Sequence, residues 1–225
     1  MKIGAVAFDA YGTILDTGTG SVDATKRILE RNGSNLDPKS IYQEWKLIHQ
    51  QIIASLLEFE NEENIFRRGL KQIYDKYHIT GSADEDVAFM LAILGRRKVY
   101  PDTLPCLGRL NEKYQIIIAS NSDTRPLLDD IRRNHIFCDC LLTSENLKVY
   151  KPRPEFYQEM LKVGQYMSDE VVYVGDSILQ DVEGPKLAGI QAIWLNRKED
   201  RSSEIEAPQI TSLEELPGIL ETLAT

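Results

Sequence analysis

An α/β fold, built as a doubly wound parallel sheet with an all-helical insertion, is predicted by three features of this sequence. Short apolar runs recur and stop at polar residues: Ile3 to Phe8 at Asp9, Gln115 to Ala119 at Ser120-Asn121, Val171 to Val174 at Gly175-Asp176. Such runs, bounded by turn residues, read as buried strands of a parallel sheet. From about Gly95 onward they alternate with helix-like stretches, the pattern of strand–helix–strand units. Residues 17–95, by contrast, carry helical periodicity alone. The expected organisation is a discontinuous core, residues 1–16 and 96–225, with a helical domain over 17–95.

Each element has a local reason. After Asp16, the stretch Thr17-Gly18-Thr19-Gly20 suits a flexible connection. Ser21 is a candidate cap for a helix to about Arg31, with Gly33 near its end. Asp37-Pro38 opens a second helix, proline being favoured at the first helical position. Ile41, Trp45, Ile48, Ile52 and Leu56 then mark one buried face. Phe66, Leu70, Ile73, Tyr74 and Tyr77 mark a third helix. Ser82 to Glu85 has capping-box spacing and opens a fourth, with Val87, Met90, Leu91 and Leu94 inward and Gly95 at its end. Beyond it, strands are expected at 115–120, 140–143, 171–174 and 191–195, and helices at about 103–113, 124–134, 154–163 and 181–188.

Composition narrows the function. A net charge of −9 disfavours a general affinity for nucleic acid or anionic membrane, while leaving room for a local basic pocket. No apolar run approaches the roughly 20 residues that span a bilayer, and the N-terminal run lacks the features of a signal peptide. The three cysteines, Cys106, Cys138 and Cys140, have neither the even count of a disulfide framework nor zinc spacing. Free thiols in a reducing cytoplasm are the expectation. Monomer and homodimer are equally open.

The strand ends carry the chemistry. Reactive groups of open parallel sheets collect just beyond the carboxyl ends of the strands. Three such ends supply Asp9 with Thr13, Ser120 with Asn121, and Asp176 with Asp181, and a loop adds Lys151 in Tyr150-Lys151-Pro152. Taken singly, Asp9 is explained as a turn residue and Asp181 as the start of a helix. Taken together, carboxylates, a hydroxyl and an ammonium suit an anionic small-molecule substrate and a divalent cation. Two carboxylates alone would repel a phosphate, and a hard cation such as Mg²⁺ removes that conflict. Lys151 would offset remaining charge, and Ser120 could hold phosphate oxygens.

Asp9-Ala10-Tyr11-Gly12-Thr13, Ser120-Asn121, Lys151-Pro152 and Gly175-Asp176-Ser177-Ile178-Leu179-Gln180-Asp181 together resemble the four motifs of the haloacid dehalogenase superfamily of hydrolases. The resemblance covers essentially the whole chain. It implies a Rossmann-like core and a first-type helical cap inserted after the first strand. It also implies that Asp9 is a nucleophile whose covalent intermediate is hydrolysed by water. Thr13 would orient Asp9 or the substrate, and Lys151 would stabilise negative charge. Mg²⁺ would be held by Asp9, Asp176 and the Tyr11 backbone carbonyl, with Asp181 completing the set. Ser120 would join the catalytic set, and Tyr11 and Asn121 would contact substrate.

Within that superfamily the sequence faces two ways. Phosphatase members carry a second Asp two residues after the nucleophile, where this chain has Tyr11, a choice that resembles the metal-independent L-2-haloacid dehalogenases. The fourth motif instead keeps the acids of a metal site, Asp176 and Asp181. Dehalogenases also hold the substrate carboxylate with a cap arginine, and Gln43 stands in the corresponding segment. An amide cannot give arginine's charged, bidentate contact. A magnesium-dependent phosphatase is the first expectation and a dehalogenase the second. A binding protein that has lost efficient chemistry is the third, opposed by Asp9, Lys151 and Asp176 occurring together. His49, His78 and His135 have no ligand spacing and are expected to be structural or surface residues. The runs Arg67-Arg68 and Arg96-Arg97-Lys98 are expected on solvated faces.

Overall fold

The computed structural model describes residues 3–94, 97–199 and 205–223. The chain runs β1 (Ala5–Phe8), β2 (Leu15–Asp16), α1 (Gly20–Arg31), α2 (Pro38–Ser55), α3 (Glu62–Tyr77), α4 (Ala83–Leu94) and β3 (Lys98–Val99). It continues α5 (Thr103–Leu110), β4 (Gln115–Ser120), α6 (Thr124–Arg133), β5 (Cys140–Thr143), α7 (Ser144–Leu147), α8 (Pro154–Gly164) and β6 (Val171–Gly175). A π-helical turn (Ile178–Glu183), α9 (Gly184–Leu187), β7 (Gln191–Leu195), β8 (Gln209–Ile210) and α10 (Leu216–Leu223) complete it.

Six strands form one parallel sheet in the order β5-β4-β1-β6-β7-β8. β1 is central because it is apolar on both faces: Ala5, Val6, Ala7 and Phe8 are all fully buried. After β1 the chain builds outward on one side through β4 and β5, then crosses to build β6, β7 and β8 on the other. That reversal puts the crevice of the sheet at β1. The register matches Phe8 with Ile118 on β4 and with Val174 on β6, so the strands end nearly level.

Two apolar layers cover the sheet. Val6, Phe8, Ile116 and Ile118 face a layer with Leu107, Leu127 and Leu216, whereas Ala5, Ala7, Ile117 and Tyr173 face Phe156, Tyr157 and Met160. Helices α1 to α4 pack around a separate core of Ile28, Ile41, Trp45, Leu70, Ile73 and Val87. The α2–α3 crossing is tight at Gly69, where a Cβ would lie 2.9 Å from the Trp45 indole. The same indole donates through Nε1 to the Phe66 carbonyl at 3.2 Å.

Most sequence expectations stand, with some corrections. Helix α1 begins at Gly20, so Ser21 lies inside it, and the cap position belongs to Thr19, whose hydroxyl bonds Asp23 at 2.7 Å. Asp37 caps α2 as expected, accepting from the Ser40 N–H at 2.8 Å. The helix expected at 181–188 starts earlier and opens with the π-helical turn, which puts Asp181 inside the turn instead of at a helix start. The antiparallel pair β2–β3, at two residues per strand, is too short to leave a periodic signature. Strand β8 and helix α10 were likewise not among the expected elements. Gly95 and Arg96 lie outside the described residues, as does the side chain of Leu94. The three cysteines are unpaired, and no described helix is long and apolar enough to cross a membrane.

The Gly69 contact has a measurable consequence. Gly69→Ala should force the Trp45 ring to shift and lower stability by about 1–3 kcal/mol, as overpacking does. Gly108→Ala, on α5 with nothing within 4 Å of its new Cβ, should be neutral or gain up to about 1 kcal/mol. Urea unfolding midpoints of the two variants decide the point.

Candidate active site

Asp9 lies one residue beyond β1, and its N–H still donates to the Val174 carbonyl at 2.9 Å, extending the β1–β6 ladder past the strand. The chain then folds back tightly. Gly12 N–H donates to Leu15 O at 2.9 Å, and the N–H groups of Ile14 and Leu15 both donate to Ala10 O, at 3.0 and 2.8 Å. Gly12 adopts φ of 101°, and a Cβ there would stand 2.5 Å from a carboxylate oxygen of Asp176. Glycine therefore serves twice, permitting the left-handed turn and letting the loop lie against the second acid. The Thr13 hydroxyl donates to Asp176 Oδ1 at 3.4 Å, a long contact.

Lys151 reaches the same point from the loop between α7 and α8. Its ammonium donates to Asp9 Oδ1 at 2.7 Å, Asp181 Oδ1 at 2.8 Å and the Tyr173 hydroxyl at 3.0 Å, with the side chain wholly buried. Tyr173 passes the chain on by donating to the Ala119 carbonyl at 2.6 Å. Asp181 Oδ2 accepts from the Ser177 N–H at 2.9 Å. Asp9, Asp176 and Asp181 each bring a carboxylate oxygen within 4.8 Å of the others. Three carboxylates against one ammonium leave this pocket two negative charges in excess.

The electrostatics register that excess. Burial by itself would strip the proton from Lys151, but Asp181 and Asp9 overcome it and hold the amine protonated above the ordinary lysine range. Burial pushes the Asp181 carboxyl up, with Lys151 opposing and Asp9 adding to the rise. Asp176 is also pushed up, by desolvation first and then by Asp9, although the residue reaches solvent. Both acids are harder to ionise than ordinary carboxyls, first because they are buried and then because Asp9 lies beside them. Oxygen ligands clustered in this way fit a hard divalent ion such as Mg²⁺.

The remaining expected site residues divide. Ser120 ends β4, almost fully buried, one residue past the level of Asp9. Asn121 accepts from the Lys151 N–H at 2.8 Å and donates to the Lys151 carbonyl at 3.0 Å. Both ends of its amide thus hold the lysine loop, so what Asn121 visibly does is position Lys151. The Tyr11 side chain turns away from the carboxylate cluster: its hydroxyl donates to Asp130 at 3.4 Å, and the Arg97 guanidinium lies 4.4 Å from its ring centre. Burial, then Asp130, hold its phenol well above the usual range. Gln43 is exposed on α2.

Several residues that shape the site are not assigned to it from the sequence. Trp194 Nε1 donates to the backbone carbonyl of Asp176 at 3.1 Å. Arg197 donates to the Thr13 carbonyl at 2.9 Å and to both oxygens of Asp102 at 2.8 and 2.9 Å. The Thr103 hydroxyl donates to the Ile14 carbonyl at 2.9 Å, so the loop after Asp9 is tied from two directions. Asp123 receives the N–H groups of Glu62 and Glu63 at 2.8 and 3.0 Å, joining the core to the first turn of α3. Tyr173 was detectable in principle, as a hydroxyl in the middle of an otherwise aliphatic strand.

Known proteins resemble this chain over most of its length. A family profile described as haloacid dehalogenase-like hydrolase matches residues 3–189. The (S)-2-haloacid dehalogenase 1 of Pseudomonas sp. (strain CBS-3) is 25% identical over 97% of this chain and 96% of its own. The glyceraldehyde 3-phosphate phosphatase of Pyrococcus furiosus is 23% identical over 99% of this chain and 93% of its own. Among solved structures, the putative hydrolase YfnB of Bacillus subtilis bound to magnesium superposes with a TM-score of 0.80, at 19% identity, over 98% of this chain and 99% of that one.

The Arg197–Asp102 pair sets a pH dependence of stability. Desolvation would raise the Asp102 carboxyl, but hydrogen bonds from Arg197, Leu213 and Ser212 outweigh it and the value is lowered. A lowered folded-state pKa contributes stability that is fully present above the unfolded value, about 3.9. That contribution is lost as pH falls through the folded value. Between pH 4 and 2 the native chain should therefore lose urea stability that Arg197→Met does not lose, and paired unfolding curves over that range check it.

Proposed function

The chain belongs to the haloacid dehalogenase-like hydrolase family, and we propose that within it this protein is a magnesium-dependent phosphatase acting on a small phosphorylated metabolite. The observation that carries this reading is the charge of the carboxylate cluster. Asp9, Asp176 and Asp181 together exceed Lys151 by two negative charges, and one divalent cation balances them. The same cluster without a cation would repel any anionic substrate. Asp9, Asp176, the Tyr11 backbone carbonyl and Asp181 would hold the ion, which supplies charge neutralisation between enzyme and phosphate.

The protein's own groups then account for the reaction. Asp9 attacks phosphorus, forming an aspartyl-phosphate as the phosphate–oxygen bond to the alcohol breaks, and water releases phosphate and regenerates the carboxylate. Lys151 fixes one Asp9 oxygen by its 2.7 Å contact and offsets charge that builds as the phosphoryl group arrives. Thr13 and Ser120 lie at the same strand ends and are assigned to orientation and to the phosphoryl oxygens. Closure of the helical insertion over the crevice would exclude water. Tyr11 stands where a general acid is expected, but its hydroxyl is engaged with Asp130. The leaving alkoxide therefore departs without that proton donor, a contribution typically worth about 10²- to 10⁴-fold.

The names of several relatives favour a second reading, 2-haloacid dehalogenation, as does the residue type at Tyr11. Gln43 lying exposed where an arginine is expected, and three clustered acids at the site, weigh against it.

Phosphate release from p-nitrophenyl phosphate should require Mg²⁺, vanish in EDTA and vanish in Asp9→Asn. Halide release from an L-2-haloacid that survives EDTA would establish the second reading instead. Mg²⁺ at a hundredfold excess over its dissociation constant should also stabilise the fold by about 2.7 kcal/mol. For a chain of this size that is a rise of about 5–10 °C in Tm, and Asp176→Ala should abolish it. Rates across phosphate esters of graded leaving-group pKa should rise steeply as the leaving group improves; a flat dependence in the chemical step would show that a proton donor is present after all.

A further inference from the structure

Beside the carboxylate cluster lies a second pocket, whose core-side wall is the residue two positions after each of two strand-end groups: Tyr11 after Asp9 and Ser122 after Ser120. The opposite wall comes from the helical insertion, with Phe66 and Glu62 on α3. Asp123, Asp130 and Arg97 complete its charged lining. Three carboxylates thus face one guanidinium.

The single cation is already engaged. The Arg97 guanidinium lies 4.4 Å from the centre of the Tyr11 ring, and its backbone N–H donates to Asp130 Oδ1 at 3.3 Å. His49 approaches Glu62 at 3.4 Å from the far side, stacked on Phe66. Asp123 is held by two backbone N–H groups, which satisfy its oxygens without supplying a full positive charge. Burial raises the carboxyls of both Asp123 and Asp130, the latter against the pull of Arg97 and of Arg133, whose guanidinium pairs with Asp130 at 3.5 Å from outside the pocket lining. Independently of these acids, Ser122 lines the pocket and is 2% exposed, and its buried hydroxyl has no hydrogen-bond partner among the described residues. A buried hydroxyl without a partner is costly to leave so, and a ligand group in the pocket would satisfy it.

We infer that this pocket receives the leaving group of the substrate and selects one bearing a positive charge, an amino or quaternary ammonium alcohol, over one bearing a second anion. The Tyr11 and Phe66 rings give such a cation an aromatic wall, the acid excess supplies attraction, and Ser122 offers a hydrogen bond to a hydroxyl or amine. A carboxylate or second phosphate would meet the same acids as repulsion. The inference rests on the phosphatase reading for the other half of the ligand, the phosphoryl group at Asp9.

The test compares three monoesters of similar length: 2-aminoethyl phosphate, propyl phosphate and carboxymethyl phosphate, with p-nitrophenyl phosphate establishing that the enzyme is a phosphatase. The expected order of kcat/KM is aminoethyl, propyl, carboxymethyl, with at least a tenfold difference between the first and the last, narrowed in Glu62→Gln. An equal or reversed order alongside turnover of p-nitrophenyl phosphate overturns the inference and leaves the phosphatase reading intact. Loss of all ester turnover overturns that reading but not the pocket, because choline alone provides a probe that needs no chemistry. Choline should raise the Tm of the native protein, propionate should not, and the choline effect should fall in Asp130→Asn. Stabilisation by propionate but not choline would show that Arg97 makes this an anion pocket and overturn the inference by itself.

Discussion

A protonated lysine buried between two carboxylates is the constraint on which this site depends. Transferring an ammonium into a protein interior costs several kcal/mol, and removing one partner of a buried ion pair typically costs about 3–5 kcal/mol. Lys151 is buried with Asp9 and Asp181 both within 2.8 Å, so its position is fixed by the need to keep every member of the group paired. Tyr173 takes a third hydrogen of the ammonium, and Asn121 clamps the lysine backbone through both its N–H and its carbonyl. The arrangement brings three segments far apart in sequence to one point: the end of β1, the loop before α8 and the turn after β6. Asp176 then adds a third acid to a group that is already balanced only in part, and that surplus of acids is the ground for the cation proposed above.

The sheet delivers these groups without strain in the strands themselves. β1 is flanked on both sides by parallel partners that end level with it, so the polar residues following each strand emerge on one rim. What shapes the rim is the path of the chain immediately afterwards. Glycine at position 12 lets the loop turn left-handed against Asp176, and Arg197 with Thr103 ties the loop's carbonyls to distant elements. The helical insertion is anchored to the same rim through Asp123, which caps α3 from the core side. The contact that places the insertion over the site is thus made by a residue of the loop that follows β4.

Family membership and the site geometry address different questions. Similarity extends to proteins named as dehalogenases and to others named as phosphatases. The residues that bear on the choice between the two are the acids Asp176 and Asp181 after β6, Tyr11 two positions past Asp9, and Gln43 on α2.

Local sequence determined the parts of this protein that depend on near neighbours. The apolar runs of β1, β4, β6 and β7 are buried whatever the tertiary detail, and the helical periodicities of α2 and α3 follow from their spacing. The residues at the strand ends were readable for the same reason, since a carboxylate that terminates an apolar run has nowhere to go but the rim of the sheet. Tertiary structure decided the rest, through contacts between residues far apart in the chain. Tyr11 turns toward Asp130, 119 positions away, and Arg197 reaches back 184 positions to the Thr13 carbonyl. Asn121 meets Lys151 across 30 positions, and its role as a clamp depends on how the loop after α7 folds back. No propensity or periodicity encodes such pairings, because their free energy is realised only once the sheet order and the packing of the insertion have brought both partners together.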